Sequence, residues 1–293
     1  MIKRYLIISG VMPVLMCKTT LKETVPVAGS NRGMRMAKKL LIIILGLALP
    51  TLASSQIFAD SKGLVVVAGA TGGTGRLVVK HLIAEGFEVL AMVRSLEKGK
   101  QVFGEDIAMV QADVTEPSTL PPLLAGADFV ISAIGASGKG KGKASPEAVD
   151  YVGSVALIDA SKSARIKKFI MVTSGGVTWW THPINWFGGG VLKWKRKAEL
   201  YLRLSGLTHV IVRPNGGLTD EPGNSNKIIF TQNDGFPSSI SREDVAIVCV
   251  KALVHKEANN KTFEVRNSGD GLVTSRVDWI KTFSTMVVQS DNF

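Results

Sequence analysis

Tyrosine is scarce in this chain: Tyr5, Tyr151 and Tyr201 are the only three in 293 residues. Cysteine is scarcer still, with Cys17 and Cys249 alone. Two cysteines build neither a disulfide framework nor a thiolate metal site, so no metal is expected. Cys249 falls in an apolar helical pattern, Val245 to Val254, and reads as a small buried side chain rather than a nucleophile. No apolar run reaches the ~20 residues of a membrane-spanning helix. The net charge of +11 is accompanied by no zinc-finger or RNP-like motif, which argues against nucleic acid as a partner. Disorder is excluded by composition, with 45% hydrophobic and 20% charged residues.

The charge is unevenly placed. Residues 1–60 carry eight Lys/Arg against Glu23 and Asp60, so +6 lies there and +5 on residues 61–293. Met34-Arg35-Met36-Ala37-Lys38-Lys39 is a basic start, Leu40 to Leu49 an aliphatic core, and Pro50 to Ser55 a small-residue stretch. That is the layout of a secretory signal peptide, with Ala53 and Ser55 suited to the cleavage site. Residues 1–60 are therefore expected to be a leader. Left uncleaved, the same segment would tie the chain to a membrane. Either way it directs the chain out of the cytoplasm, to an organelle or the periplasm. No Arg-Arg pair marks export of a folded, cofactor-loaded domain.

Residues 61–293 open on the most informative stretch, Leu64-Val65-Val66-Val67-Ala68-Gly69-Ala70-Thr71-Gly72-Gly73-Thr74-Gly75. An apolar β-branched run of the kind a buried parallel strand needs stops at a glycine turn, and a helical pattern starts at once. Gly69, Gly72 and Gly75 form a G-x-x-G-x-x-G spacing. The first glycine allows a tight turn, the second a close backbone approach to a pyrophosphate, the third close packing of helix on strand. Helix N–H groups, Gly73 and Thr74 among them, then face the phosphates. Dinucleotide binding follows from this context.

Further along, helices are expected over 73–84, 118–124, 146–164, 191–204 and 242–254. Strands are expected over 88–93, 107–111, 128–134, 168–173, 209–212 and 262–265. Ser145-Pro146-Glu147 supplies an N-cap serine and a proline at the first helical position. Strands alternating with helices mean an α/β fold with a doubly wound parallel sheet. Segments 175–190 and 214–240 read as irregular and follow strand C-termini, where this architecture binds ligands. They form a small, irregular substrate lobe.

Several ordered blocks now stand together: Gly69 to Gly75, Ala112-Asp113-Val114, Val172-Thr173-Ser174, Ser205-Gly206-Leu207, Arg213-Pro214 and Ile240 to Ala246. Over residues 63–266 the chain resembles the atypical short-chain dehydrogenase/reductase superfamily, in its NAD(P)H-binding, NmrA-like group. The resemblance implies a Rossmann fold. It implies that Asp113 and Val114 contact the adenine and that Ala133, Ile134 and Gly135 line its ribose. It also implies that backbone from Pro214 onward holds the nicotinamide, and that Thr71, Gly72 and Gly73 belong to the phosphate turn.

Cofactor choice is written at the end of the second strand. NAD-preferring domains place an acid there for the ribose 2′-hydroxyl. This chain has Arg94-Ser95, with Lys98 close by. A guanidinium and a hydroxyl suit a 2′-phosphate, so NADP(H) is expected rather than NAD(H). Tyrosine-dependent members of the superfamily use Ser with Tyr-x-x-x-Lys. Here Ser174 matches the serine and Lys195 the lysine, but Val191 stands where the tyrosine would be. Valine cannot transfer a proton. Two functions stay open: an NADPH-dependent reductase using Lys195 and Ser174 on a small organic substrate, or a non-catalytic NADPH-binding sensor or scaffold.

Trp179, Trp180, Trp186 and Trp194 lie close together, with His182, Phe187 and Gly188-Gly189-Gly190 among them. An aromatic lid, a membrane-surface contact and a loop simply packed on the core are all consistent with that composition.

Overall fold

The computed structural model describes residues 61–289 except 137–138, 180, 233–234 and 236. The expectations for the leader, residues 1–60, lie outside the described residues. Among those described, no helix is long and apolar enough to cross a membrane.

Eight strands form one sheet in the order β3-β2-β1-β4-β5-β6-β10-β8. They are β1 Leu64–Ala68, β2 Glu88–Val93, β3 Ala108–Gln111, β4 Phe129–Ser132, β5 Lys168–Val172, β6 His209–Pro214, β8 Ile228–Thr231 and β10 Lys261–Asn267. All pairings are parallel except β8 on β10. The α-helices among the described residues are α1 Gly73–Ala84, α2 Leu96–Phe103, α3 Leu120–Leu123, α4 Ser154–Ser163, α5 Ile184–Phe187, α6 Val191–Leu204, α7 Arg242–Val254 and α8 Trp279–Ser284. This is the doubly wound α/β arrangement, and its strand order reverses between β1 and β4. The crevice at that reversal is where such sheets hold ligands.

Alternation along β1 explains the continuous apolar run. Val65 and Val67 join the core beneath α1 and α7, while Val66 and Ala68 join the one beneath α4 and α6. With helices on both faces, Val65 to Ala68 are all buried. Each of the three valines contributes about 1.5–3 kcal/mol on burial.

Three features depart from the expected alternation of strands and helices. Residues Glu147–Gly153 wind as a π-helix, and only Ser154–Ser163 is α-helical. At this junction Gly153 meets Val114 so closely that a β-carbon would lie 2.5 Å from its methyl group. Ser145 does bond the first turn, accepting from the Ala148 N–H at 3.2 Å. Second, α2 follows Arg94-Ser95 directly, capped by Ser95 Oγ accepting from Lys98 N. Third, 214–240 is not irregular throughout. It holds β7 Gly216–Thr219 and β9 Ser238–Ser241, which pair with each other, and β8 on the sheet edge.

Helices α1 and α7 run side by side and are latched by Glu243. Its carboxylate accepts from Lys80 (2.8 Å), the Gly223 N–H (3.0 Å) and pairs with His81 (3.0 Å). The Gly223 N–H and then the Lys80 ammonium hold its pKa down to about 2, against an ordinary 4.5. A depressed carboxylate stabilises the fold fully above its unfolded pKa and loses that contribution as pH falls through the folded one. Glu243→Gln is therefore expected to cost about 1–2 kcal/mol at neutral pH. That deficit should shrink between pH 4.5 and 2 in urea melts followed by circular dichroism. A deficit independent of pH would show that the carboxylate charge is not what the latch uses.

Lys168, buried in β5, closes the other end of α7. Its ammonium donates to the carbonyls of Ala252 (3.1 Å), Leu253 (2.9 Å) and His255 (3.1 Å). A cation at a helix C-terminus satisfies carbonyls that lack intrahelical partners.

Candidate functional site

The turn after β1 is built as its glycines require. Gly69 has φ +77°, and a β-carbon there would sit 2.7 Å from the Ala133 carbonyl. A β-carbon at Gly75 would lie 2.2 Å from the Gly69 carbonyl, so only glycine lets α1 start this close to β1. The Gly72 N–H closes the turn on Gly69 O at 2.9 Å. No side chain caps α1, whose N-cap is Gly72. The first-turn N–H groups of Gly73 and Thr74 thus present positive potential to whatever enters the crevice.

A cleft of about 160 Å³ opens between that turn and the ends of β2, β3 and β4. Of the residues expected to hold a cofactor, Gly69, Thr71, Gly72, Arg94, Asp113, Val114, Ala133, Ile134 and Gly135 all line it, and so does Lys98. Gly73, Thr74 and Gly75 continue from its edge into α1. Arg94 and Lys98 are exposed. Two expected contacts carry other duties. Ser95 Oγ caps α2, and Asp113 Oδ1 accepts from the Thr115 N–H (2.9 Å) and hydroxyl (2.8 Å). Both roles leave the Ser95 hydroxyl proton and the second Asp113 oxygen for a ligand. The cradle fits a dinucleotide: glycine backbone for the phosphates, two cations at one end, apolar walls between.

Lys195, on α6, comes up beside Gly135, a residue of the cleft lining. Its Nζ stands 2.8 Å from Asp150 Oδ1, and the two side chains are 14% and 0% exposed. A β-carbon on Gly135 would meet Lys195 Nζ at 3.6 Å and Asp150 Oδ1 at 3.7 Å, which locates the pair against the cleft-lining β4 loop. Asp150 also accepts from the Ala136 N–H at 3.3 Å. The π-helix supplies this aspartate, as π-turns often do at functional sites. Sequence reasoning missed Asp150. A lone acid in a helical pattern carries no signal until its partner is placed.

Beneath the strand ends lies a second group that sequence reading missed. Arg213 Nε and Nη2 donate to the two oxygens of Glu199 at 3.1 and 2.6 Å. Glu264 approaches the same guanidinium at 4.0 Å and accepts from Asn215 Nδ2 at 3.0 Å. Thr173 donates to Glu199 and Thr231 to Glu264. Arg213, Glu199 and Glu264 are all buried. The network ties α6, β5, β6, β8 and β10 together immediately below Ser174 and Pro214. Those two expected site residues are brought close, because the Gly175 N–H donates to the Pro214 carbonyl at 2.7 Å.

Arg242 is a third omission. Its side chain lies over Gly73, where a β-carbon would meet Cδ at 2.7 Å. Asp220 pairs with Arg242 (3.0 Å) and approaches Arg76 (3.8 Å). Two guanidinium groups therefore border the glycine turn.

The remaining candidates divide clearly. Val191 opens α6, with the Val191 N–H donating to the Gly188 carbonyl. Tyr151 stacks on Trp194, ring centroids 5.8 Å apart, and the Tyr201 hydroxyl donates to Asp159 at 2.8 Å. Neither tyrosine replaces the one that Val191 displaces. His182 packs its edge on Trp179 (5.0 Å), and its Nδ1 accepts from the Ile184 N–H at 3.2 Å, a loop-fastening role. Cys249 is fully buried and desolvation pushes its thiol up to about 12, so it is no nucleophile. Among the described residues no group of His, Cys, Asp and Glu could hold a metal ion.

A protein-family profile described as NAD(P)H-binding matches residues 69–256. The chain is 34% identical over 248 residues to an uncharacterised chloroplastic protein of Arabidopsis thaliana, covering 77% of this chain and 76% of that one. It is 32% identical over 271 residues to the sanguinarine reductase of Eschscholzia californica, covering 77% and 97%. Among solved structures, a Bacillus halodurans protein described as an NAD-dependent epimerase/dehydratase superposes with a TM-score of 0.66 at 31% identity, covering 76% of this chain and all of that one.

Proposed function

We propose that this chain, which belongs to the NAD(P)H-binding family, is an NADPH-dependent reductase of the atypical short-chain group, acting on a small organic substrate. The observation that carries the reading is the Lys195–Asp150 pair at 2.8 Å, beside Gly135 of a cleft whose lining also includes Arg94 and Lys98. The bound cofactor would supply the hydride. Arg94, Lys98 and the Ser95 hydroxyl would bind the 2′-phosphate, and the Gly69–Gly75 turn the pyrophosphate. Asp150 holds the Lys195 ammonium in place, where it can bind the nicotinamide ribose and hold a proton for the acceptor. Ser174, two residues past β5, would orient the acceptor by a hydrogen bond. A relative named as a reductase supports this assignment. A chloroplastic relative supports reading the leader as organelle-directed.

Val191 favours a second reading, in which the chain binds NADPH without turnover and serves as a sensor or scaffold. One experiment separates them. Purified protein is given NADPH and a panel of carbonyl and quinone acceptors, and the reduced nicotinamide is followed by absorbance. For a reductase, Lys195→Ala should lower kcat/KM by about a hundredfold or more and weaken NADPH binding about tenfold, while Asp150→Asn gives a smaller loss in both. Tight NADPH binding with no acceptor consumed would favour the second reading. Turnover untouched by Lys195→Ala would remove Lys195 from the chemistry.

A further inference from the structure

The least expected surface of the molecule is the excursion between β5 and α6. Trp186 is 76% and Phe187 84% exposed, with Trp179 and Ile184 exposed beside them. Water around such rings is costly, and monomeric proteins rarely leave large apolar side chains clustered outside. Nor is the segment left hanging. Asn185 Oδ1 accepts from the N–H groups of Leu192 (3.1 Å) and Lys193 (3.3 Å), which fastens it to the start of α6. The Gly188 and Gly190 N–H groups donate back to Ile184 and Asn185. A backbone pinned in this way holds Trp186 and Phe187 outward.

Charge along the adjoining sequence is of one sign. From residue 160 to 198 the sequence has eight Lys/Arg and no Asp or Glu. Lys193 and Lys197, one turn apart on α6, are exposed, and both lie over the Trp194 ring, at 5.0 and 4.6 Å. Apolar aromatics that sit at an interface, flanked by lysines able to reach past them to anionic headgroups, are what a bilayer surface selects. We propose that the Ile184–Phe187 turn and the Lys193/Lys197 face of α6 form a docking surface for an anionic lipid bilayer, with the rings entering the headgroup region. The surface is separate from the cofactor cleft and does not depend on whether turnover occurs.

Tryptophan emission tests this without interference from the leader, because all five Trp lie between residues 179 and 279. The full chain is titrated with phosphatidylglycerol vesicles and, separately, with phosphatidylcholine vesicles. A blue shift and protection from acrylamide with the anionic vesicles alone is expected. K193E/K197E should weaken the response about thirtyfold at low salt, and W186A/F187A should remove most of the acrylamide protection of the remaining tryptophans. Both variants alter exposed side chains and should keep wild-type NADPH affinity. No spectral change with anionic vesicles would overturn the proposal, as would an equal response to neutral ones. A wild-type dimer in analytical ultracentrifugation that W186A/F187A turns into monomer would also overturn it, assigning the patch to a second copy of the chain.

Discussion

Arg94→Asp is expected to raise the Kd for NADPH at least about a hundredfold while leaving NADH binding unchanged or improved. The reasoning is electrostatic. Arg94 stands exposed at the mouth of the cleft, where β2 ends, with Lys98 one helical turn on. A guanidinium on a phosphate makes paired, charge-assisted hydrogen bonds, worth about 1.5–3 kcal/mol when one partner is removed. Aspartate adds repulsion against the 2′-phosphate and offers an acceptor to the 2′-hydroxyl of NADH. Calorimetric titration of both nucleotides at fixed salt measures the two effects. Equal weakening of both would make Arg94 a support for α2 rather than a selector. Unchanged NADPH affinity would remove the 2′-phosphate assignment altogether.

The largest stability effect is expected from Arg213→Met. The guanidinium is the counterion of Glu199 and lies 4.0 Å from Glu264, and all three groups are buried. Removing one partner of a buried pair strands the other's charge, which typically costs 3–5 kcal/mol. That is a large share of the 5–15 kcal/mol by which a domain of this kind is stable. Two readouts separate charge from lost packing in guanidinium melts. Glu199→Gln added to Arg213→Met should recover part of the loss, because the stranded carboxylate is gone. The deficit of the single variant should also narrow as pH falls from 7 to 5, because an unpaired buried carboxylate has a raised pKa and takes up a proton in the folded state first. A deficit that neither manipulation changes would mean the guanidinium matters through its volume. NADPH affinity should fall in the soluble fraction too, since Thr173 and Asn215, which flank Ser174 and Pro214, bond to the same two glutamates.

Local patterns with their own periodicity were legible in the chain alone. The bounds of α1, α6 and α7 coincide with the expected helices, because each carries an amphipathic or apolar period ended by glycine, serine or histidine. The glycine turn was legible because its chemistry is local: backbone crowding between residues six apart allows no other side chain. The cleft residues at the ends of β1, β2, β3 and β4 followed from the fold, since parallel strands bring their C-termini to one edge.

What escaped the sequence has a common cause. Asp150, Glu199 and Glu264 are isolated acids with no pattern around them, and each gains meaning from a cation 14 to 51 positions away, Lys195 or Arg213. Strands β7 and β9 are four residues each, rich in glycine and serine, and exist because they pair with one another. In the π-helix, Gly153 packs against Val114 from beyond β3, a contact that no local pattern announces. Periodicity and backbone sterics act over a few residues, so the sequence by itself determined the doubly wound frame and the glycine cradle. Coulomb pairing, strand partnership and close packing act between residues distant in the chain, so only the tertiary structure decided which charges are buried, which lysine has a partner and which tryptophans face outward.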